Sequence, residues 1–477
     1  MLQILQRRLF WLLAAGVVVL VFLSTFVKVH MPGDWDPRPL GSVGDIAKLR
    51  QRGNLNVLFI LVDTLRADRL GMYGYERDTS PTLDRLASSG VRFARNLSQS
   101  SWTKASMASL WTSLYPTRSG ISRFDQVLPS DASMPAEILK SAGFHTIGLY
   151  RNGWVAPSFG FDQGFDVYER PVAPPLDPKI RRENPTLSDV GTDESVIATA
   201  MEFLRTQGHE RWFLYLHLMD LHEYIHDEES ARFGTRYTDS YDNSIRWVDG
   251  VLSTLFAFLG DSGYLNNTLV ILASDHGEGF GEHGFEGHAR KLYREMTEVP
   301  WVLLFPFRLE PGVVVESRTQ NVDLWPTVLD ILGLPAPESD GRSRLPEILA
   351  SARGEKPGVN SPTIEKPDGN SPAISHLDQT WGRPHETARP TVAVVDGPLR
   401  YVRSQEDDGR TIEQLFDATG DPAELRDRAR EDKESLERLS KVADEYLEKE
   451  PRWGKAPTKT ISEIELGQLR ALGYAVP

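Results

Sequence analysis

NVLFILVD, residues 56–63, and TLVILASDH, residues 268–276, decide the fold. Each is an apolar run that ends abruptly in ionisable side chains. Unbroken apolar runs, as opposed to alternating ones, suit strands covered on both faces, the environment of a parallel sheet between helices. HTIGLY (145–150), WFLYLHL (212–218) and WVLLF (301–305) repeat the pattern. Helical stretches with readable stops lie between them, at 135–142 before Gly143, 194–207 before Gly208 and 240–259 before Gly260. The alternation predicts an α/β protein: an α/β/α sandwich around a large, mainly parallel central sheet.

The 477 residues allow one large core with a smaller appendage. A formal charge of -14 with no basic stripe argues against nucleic acid as a partner, because phosphate backbones are gripped by clustered Lys and Arg. There is no cysteine, so disulfides, thiolate metal sites and any group made by oxidising a thiol are excluded. FWLLAAGVVVLVFLSTFV, residues 10–27, is free of charge and close to the length that spans a bilayer as a helix. Arg7 and Arg8 precede it and Asp34 and Asp36 follow. The positive-inside bias then predicts a single-pass membrane protein with a cytoplasmic N-terminus and an extracytoplasmic body.

The expected organisation is an anchor at 1–30, a Pro/Gly-rich linker at 31–54, a main domain at 55–346 and a Pro/Ser-rich flexible insertion at 347–390. A C-terminal subdomain and tail occupy 391–477. PTVAVVD (390–396) and RYVRSQ (400–405) predict an antiparallel pair there, with a charged helix at 422–449.

Ligands of open α/β sheets bind beyond the carboxyl ends of the strands. Asp63 and the Asp275-His276 pair follow two apolar runs directly, so they fall at one rim. Oxygen and nitrogen donors without sulfur suit one divalent ion among Mg, Mn, Ca and Zn. A lone strand-end Asp more often caps a turn, but three ligand-type residues at two strand ends favour a metal. In SQSSWTKASMASLWTSLYP (98–116), Thr103 stands at the expected N-cap of a helix whose Met107, Leu110, Trp111 and Leu114 recur at helical spacing. A capping threonine needs no chemistry. A helix N-terminus also receives anions, and a metal-bound hydroxyl there could attack an ester.

VDTLRADRLGMYGY (62–75), SWTKASMASLWTSLYP (101–116), HLMDLHEY (217–224) and VILASDHGEGFGEHG (270–284) resemble, in order and spacing, the sulfatase-like proteins of the alkaline phosphatase superfamily. The likeness continues through residues 287–306 and 322–343 and to LRALGY at 469–474. It implies an α/β/α domain with a smaller C-terminal sheet. It implies Asp63, Asp275 and His276 as metal ligands, and Thr103 as nucleophile and fourth ligand. It further implies His222 and His288 as catalytic and substrate-side groups, with His283 and Lys104 also binding substrate. His217, inside an apolar run, reads as a core residue.

The chain departs from that pattern in three places. Thr103 stands where sulfatases carry the Cys or Ser that becomes formylglycine, so no formylglycine forms. Thr64 replaces the second Asp of the usual pair. The family's Gly-Lys-Trp-His stretch has no lysine here, and Asn152 is the nearest polar candidate. The expected function is a metal-dependent hydrolase or transferase acting on a small-molecule, lipid or glycan ester, of phosphate in preference to sulfate. A non-catalytic ectodomain and a true sulfuric ester hydrolase using Ser106 are the alternatives.

Overall fold

A computed structural model describes residues 36–171, 179, 182, 191–355, 371–380, 382, 386–406, 408–463 and 465–467. Its centre is an eight-stranded sheet. In chain order the strands are β1 (Asn56–Val62), β2 (Val91–Phe93), β3 (His145–Leu149), β4 (Val167–Glu169), β5 (Trp212–Leu218), β6 (Thr268–Ala273), β7 (Trp301–Leu304) and β8 (Val313–Val315). They lie in the order β8-β2-β7-β6-β1-β5-β3-β4. From β6 to β4 every pairing is parallel, whereas β7 runs antiparallel to both its neighbours. The sheet is therefore mixed, with the parallel half carrying the ends of β1, β5 and β6.

The apolar run of β1 is buried along its whole length, and successive side chains serve opposite cores. Val57, Phe59 and Leu61 pack with α1 (Thr103–Thr112) and α4 (Leu324–Leu332). Leu58, Ile60 and Val62 pack with α2 (Asp193–Gln207) and α3 (Tyr237–Asp261). Truncating any one of these fully buried residues to alanine removes about 2–5 kcal/mol.

A second sheet, order β9-β10-β11-β12, is antiparallel throughout: Ala373–Asp378, Pro390–Asp396, Leu399–Gln405 and Thr411–Asp417. One helix, α5 (Lys433–Leu447), covers it through Leu439, Ala443 and Tyr446. That helix starts later than the charged stretch suggests, because Asp432 caps it by accepting from Ser435 N–H.

Several expectations need correction. Residues 36–54 do not form a free linker: Ile46 and Leu49 are buried, and Arg38 is buried with Asp36, Ser89 and the Phe305 carbonyl as partners. Helix Leu345–Ala352 and β9 occupy the two ends of the segment expected to be flexible, while 356–370 lie outside the described residues. The single-pass membrane assignment, with its cytoplasmic N-terminus, is overturned: among the described residues no helix is long and apolar enough to cross a membrane. α3 has the length, at 25 residues, but carries Asp239, Asp242, Arg246 and Asp249. The run 10–27 itself lies outside the described residues.

Within the C-terminal part, a buried polar contact joins β9 to α5. His376 on β9 accepts from the Tyr446 hydroxyl of α5 at 3.0 Å, and burial pushes its pKa down to about 4 from an ordinary 6.5. The unfolded chain therefore takes up a proton between pH 6.5 and about 4 that the folded chain refuses. His376 contributes stability above pH 6.5 that is lost as pH falls towards 4. Urea unfolding of His376→Asn should show a loss between pH 6.5 and 4 that is smaller than wild type by roughly 1–3 kcal/mol. Equal losses in the two proteins would exclude this group as an acid-sensitive joint.

Candidate active site

Strand register assembles the site. β1 and β6 are parallel neighbours with Leu61 opposite Ala273, so the residues that follow them emerge at one rim. Asp63, Asp275 and His276 are fully buried there, with one ligand atom of each within 4.8 Å of the others. Asp63 Oδ1 and Asp275 Oδ2 accept no hydrogen bond. His276 Nδ1 lies 3.0 Å from the Gly277 carbonyl, which fixes the proton on that nitrogen and leaves a lone pair on Nε2. Nε2 is 3.3 Å from Asp275 Oδ2 and 3.7 Å from Asp63 Oδ1. Lone pairs converging in a buried space repel unless a cation lies among them, so this donor set fits a divalent ion.

The carboxylates are unequal. Burial opposes ionisation of Asp63, but the hydrogen bond from His217 and the nearby His222 and His276 outweigh it and hold the group below the usual range. Burial, then the Asp63 charge, push Asp275 up. A cation would reverse the second effect.

The turn after Asp63 is strained. Thr64 has φ +60°, a conformation that disfavours a β-branched residue and costs about 1–3 kcal/mol. Its N–H points to Asp275 Oδ1 at 3.3 Å. Tyr241, buried on α3, holds the turn: its hydroxyl donates to the Thr64 carbonyl at 2.6 Å and accepts from Arg66 N–H at 2.9 Å.

Thr103 is the first residue of α1, one place inside the expected cap, which is Trp102. Its Oγ1 is 3.1 Å from His276 Nε2, and Asn152 Nδ2 approaches it at 3.4 Å while donating to Asp63 Oδ2 at 2.7 Å. The Trp154 N–H bond to Asn152 Oδ1 fixes which way that amide faces. The first N–H groups of α1 have no partner within the helix, which suits an anion beside Thr103. Ser106, the other hydroxyl considered, donates to the Asp275 carbonyl.

Beside this cluster, the His222 ring lies 4.9 Å from His288 and the His276 ring 4.6 Å from His288. Burial lowers His222 to about 4, so it is neutral. Burial also acts against a charge on His288, but Glu278, 3.2 Å from its Nδ1, prevails and raises it. Neighbouring histidines driven in opposite directions suit opposite proton roles.

His217, buried among apolar neighbours, also touches the cluster. Its Nε2 lies 3.1 Å from Asp63 Oδ2 and its Nδ1 2.7 Å from the Tyr215 hydroxyl. The signal was parity: His217 pairs with Leu61, and the period of two puts it on the same sheet face as Asp63. Arg151 is a second unexpected component, buried against Asp193, Asp220 and Glu223, and it ties the chain beside Asn152 to the loop that carries His222.

Two expected substrate residues sit elsewhere. Lys104 donates to the Phe124 carbonyl at 2.6 Å and lies 3.7 Å over the Phe159 ring, and burial lowers its pKa. His283 engages Glu295 and the Glu424 carbonyl and stacks on Tyr293, fastening its loop to the C-terminal part.

The family model described as Sulfatase matches residues 55–334. The Delta 4,5-hexuronate-2-O-sulfatase of Bacteroides thetaiotaomicron is 24% identical over 461 residues, covering 82% of this chain and 88% of that protein. The N-acetylgalactosamine-6-sulfatase of Homo sapiens is 26% identical over 361 residues, covering 63% and 67%. The phosphonate monoester hydrolase of Agrobacterium radiobacter superposes with a TM-score of 0.63 at 19% identity, over 82% of this chain and 95% of that one, a likeness of fold.

Tyr241→Phe keeps the ring packing and deletes the hydroxyl that clamps the strained turn. Divalent-ion affinity, read by chelator competition with Mn or Zn, should fall about tenfold to a hundredfold. An unchanged affinity with a lowered melting temperature would assign Tyr241 to packing alone.

Proposed function

Because the chain belongs to the sulfatase family, whose members are hydrolases of the alkaline phosphatase superfamily, we propose that it cleaves phosphate esters with Thr103 as the nucleophile. The observation that carries the reading is the Thr103 hydroxyl, 3.1 Å from His276 Nε2 at a buried helix N-terminus. Asp63, Asp275 and His276 would hold one divalent cation, with Thr103 as a fourth ligand. That ion would acidify the hydroxyl and offset the gathered carboxylate charge.

The residues then have separate tasks. Asn152 and the N–H groups of α1 hold the non-bridging oxygens. Thr103 releases its proton to water and attacks phosphorus, so that the Oγ–P bond forms as the bond to the ester oxygen breaks. The leaving alcohol takes a proton from His288, whose affinity for it Glu278 raises. Neutral His222 offers a hydrogen bond without adding charge. Water then attacks phosphorus, and Thr103 leaves with a proton, freeing phosphate. An acceptor hydroxyl in place of water makes the same cycle a transfer.

Phosphate is preferred for a chemical reason. A formylglycine hydrate can expel sulfate by eliminating through its second hydroxyl, and a threonine, in a chain without cysteine, has none. A phosphothreonine needs only water at phosphorus. Sulfate is the second reading, favoured by the names of the two curated relatives above.

Thr103→Ala should lower turnover of a phosphomonoester by roughly a thousandfold or more. Quenched wild-type reactions should yield a peptide with phosphate on Thr103 by high-resolution mass spectrometry. Full activity in the alanine variant would remove the nucleophile assignment, and a sulfated peptide would establish the second reading.

A further inference from the structure

Arg66 follows Asp63 by three residues yet takes no part in the steps above. It is buried, and Nε and Nη2 fork onto Asp68 at 2.9 and 2.7 Å. Nη1 crosses to the loop after β6, donating to the Glu278 carbonyl at 2.9 Å and to Glu282 Oε1 at 2.6 Å. The guanidinium carbon lies 4.8 Å from the Phe280 ring centroid. A bidentate carboxylate already meets the charge of a buried arginine. The Nη1 contacts go beyond that and fasten a second segment.

That segment is a two-stranded ribbon, Gly279–Phe280 paired antiparallel with Glu286–Gly287. Glu278 enters it and His288 leaves it, and at its open end their side chains meet at 3.2 Å. Arg66 grips the entering arm at Glu278 and Phe280, and the far turn at Glu282, whose Oε2 also accepts from Phe280 N–H. A Cβ on Gly277 would lie 3.1 Å from Arg66 Cγ and 2.1 Å from the Glu295 carbonyl oxygen, so the chain is confined between the two. His288 is secured from its other side by Ala289 N–H on the Ser101 carbonyl at 2.8 Å. Its ring lies 4.6 Å from that of His276, whose Nε2 is 3.1 Å from Thr103 Oγ1. The turn that presents Asp63 and the ribbon that presents His288 therefore share one guanidinium.

We infer that Arg66 is a positioning residue for protonation of the leaving group: through the ribbon it holds His288 in a fixed place relative to the Asp63 turn and Thr103. The inference rests on the acid role given to His288 above. It implies a dependence on the leaving group. An alcohol that departs as a stable anion needs no proton, whereas one that would depart as an alkoxide does.

The test compares 4-nitrophenyl phosphate with ethyl phosphate, or the matching sulfates if those are the esters turned over. Arg66→Lys keeps the charge but cannot span Asp68 and the ribbon together. Its kcat for the ethyl ester should fall about ten- to a hundredfold, that for the 4-nitrophenyl ester less than about twofold, with KM for both unchanged. Glu282→Gln disturbs only the outer end of the clasp and should show the same split at about two- to threefold, which keeps the comparison if Arg66→Lys does not fold. His288→Ala should show the full split, and adding Arg66→Lys to it should cost the ethyl ester nothing more. Equal losses on both esters, or additive losses in the double variant, would assign Arg66 to folding alone. No split in His288→Ala withdraws the acid assignment and the inference with it, whereas a split confined to His288→Ala overturns the inference only. Hydrogen exchange reads the clasp without turnover: amides of residues 279–288 should exchange about tenfold faster in Arg66→Lys than in wild type, with β1 unchanged. Equal exchange overturns the inference whichever ester is cleaved, or none.

Discussion

Two buried carboxylates that face one another set the terms for the rest of this structure. Asp63 and Asp275 follow adjacent parallel strands, and each keeps one oxygen without a hydrogen bond. Burying one ionised carboxylate is costly, and burying two together is tolerable only with compensating charge. The surroundings supply partial compensation: an amide from Asn152, a ring nitrogen from His217 and a backbone N–H from Thr64. What remains is a place for a cation with one threonine hydroxyl at its edge.

That requirement accounts for three of the five non-glycine residues with positive φ among the described residues, the other two being Ser113 and Glu424. Thr64, Tyr224 and Ala289 all adopt positive φ without being glycine. Thr64 directly follows Asp63, Tyr224 follows His222 by two, and Ala289 directly follows His288 while its N–H bonds the Ser101 carbonyl. Each turn bends the chain sharply after delivering a side chain to the rim. Such strain persists only where surrounding contacts over-determine it, as the Tyr241 hydroxyl does for Thr64.

The main architecture was legible because long apolar runs leave few alternatives, and strand-end position identified Asp63, Asp275 and His276. The short strands β2, β4 and β8, three residues each, carry too little pattern to be read. His217 and Lys104 both make contacts that their sequence neighbours do not suggest. An apolar neighbourhood concealed a polar role for His217, which only its register beside β1 reveals. Lys104 adjoins Thr103 in sequence, yet one step along a helix turns a side chain by about 100°. Its amine accordingly meets Phe124 and Phe159. His283 was assigned from a loop motif, and loop residues reach wherever tertiary partners draw them; here those are Glu295 and Glu424.

Composition suggests a boundary between the large domain and the C-terminal part, but β9 crosses it. Ser375 donates to the Ser98 carbonyl at 2.5 Å and His376 N–H to the Gln99 carbonyl at 2.8 Å, in the loop that leads to Thr103. Ile374 N–H and the Tyr115 hydroxyl share Gln320 Oε1. The smaller sheet is thus scaffolding for the backbone that leads to Thr103. A recombination that exchanged this part between relatives would transplant half of a hydrogen-bonded seam. The two parts are therefore constrained to be inherited together, although the chain between them, at 356–370, reads as a natural place to cut.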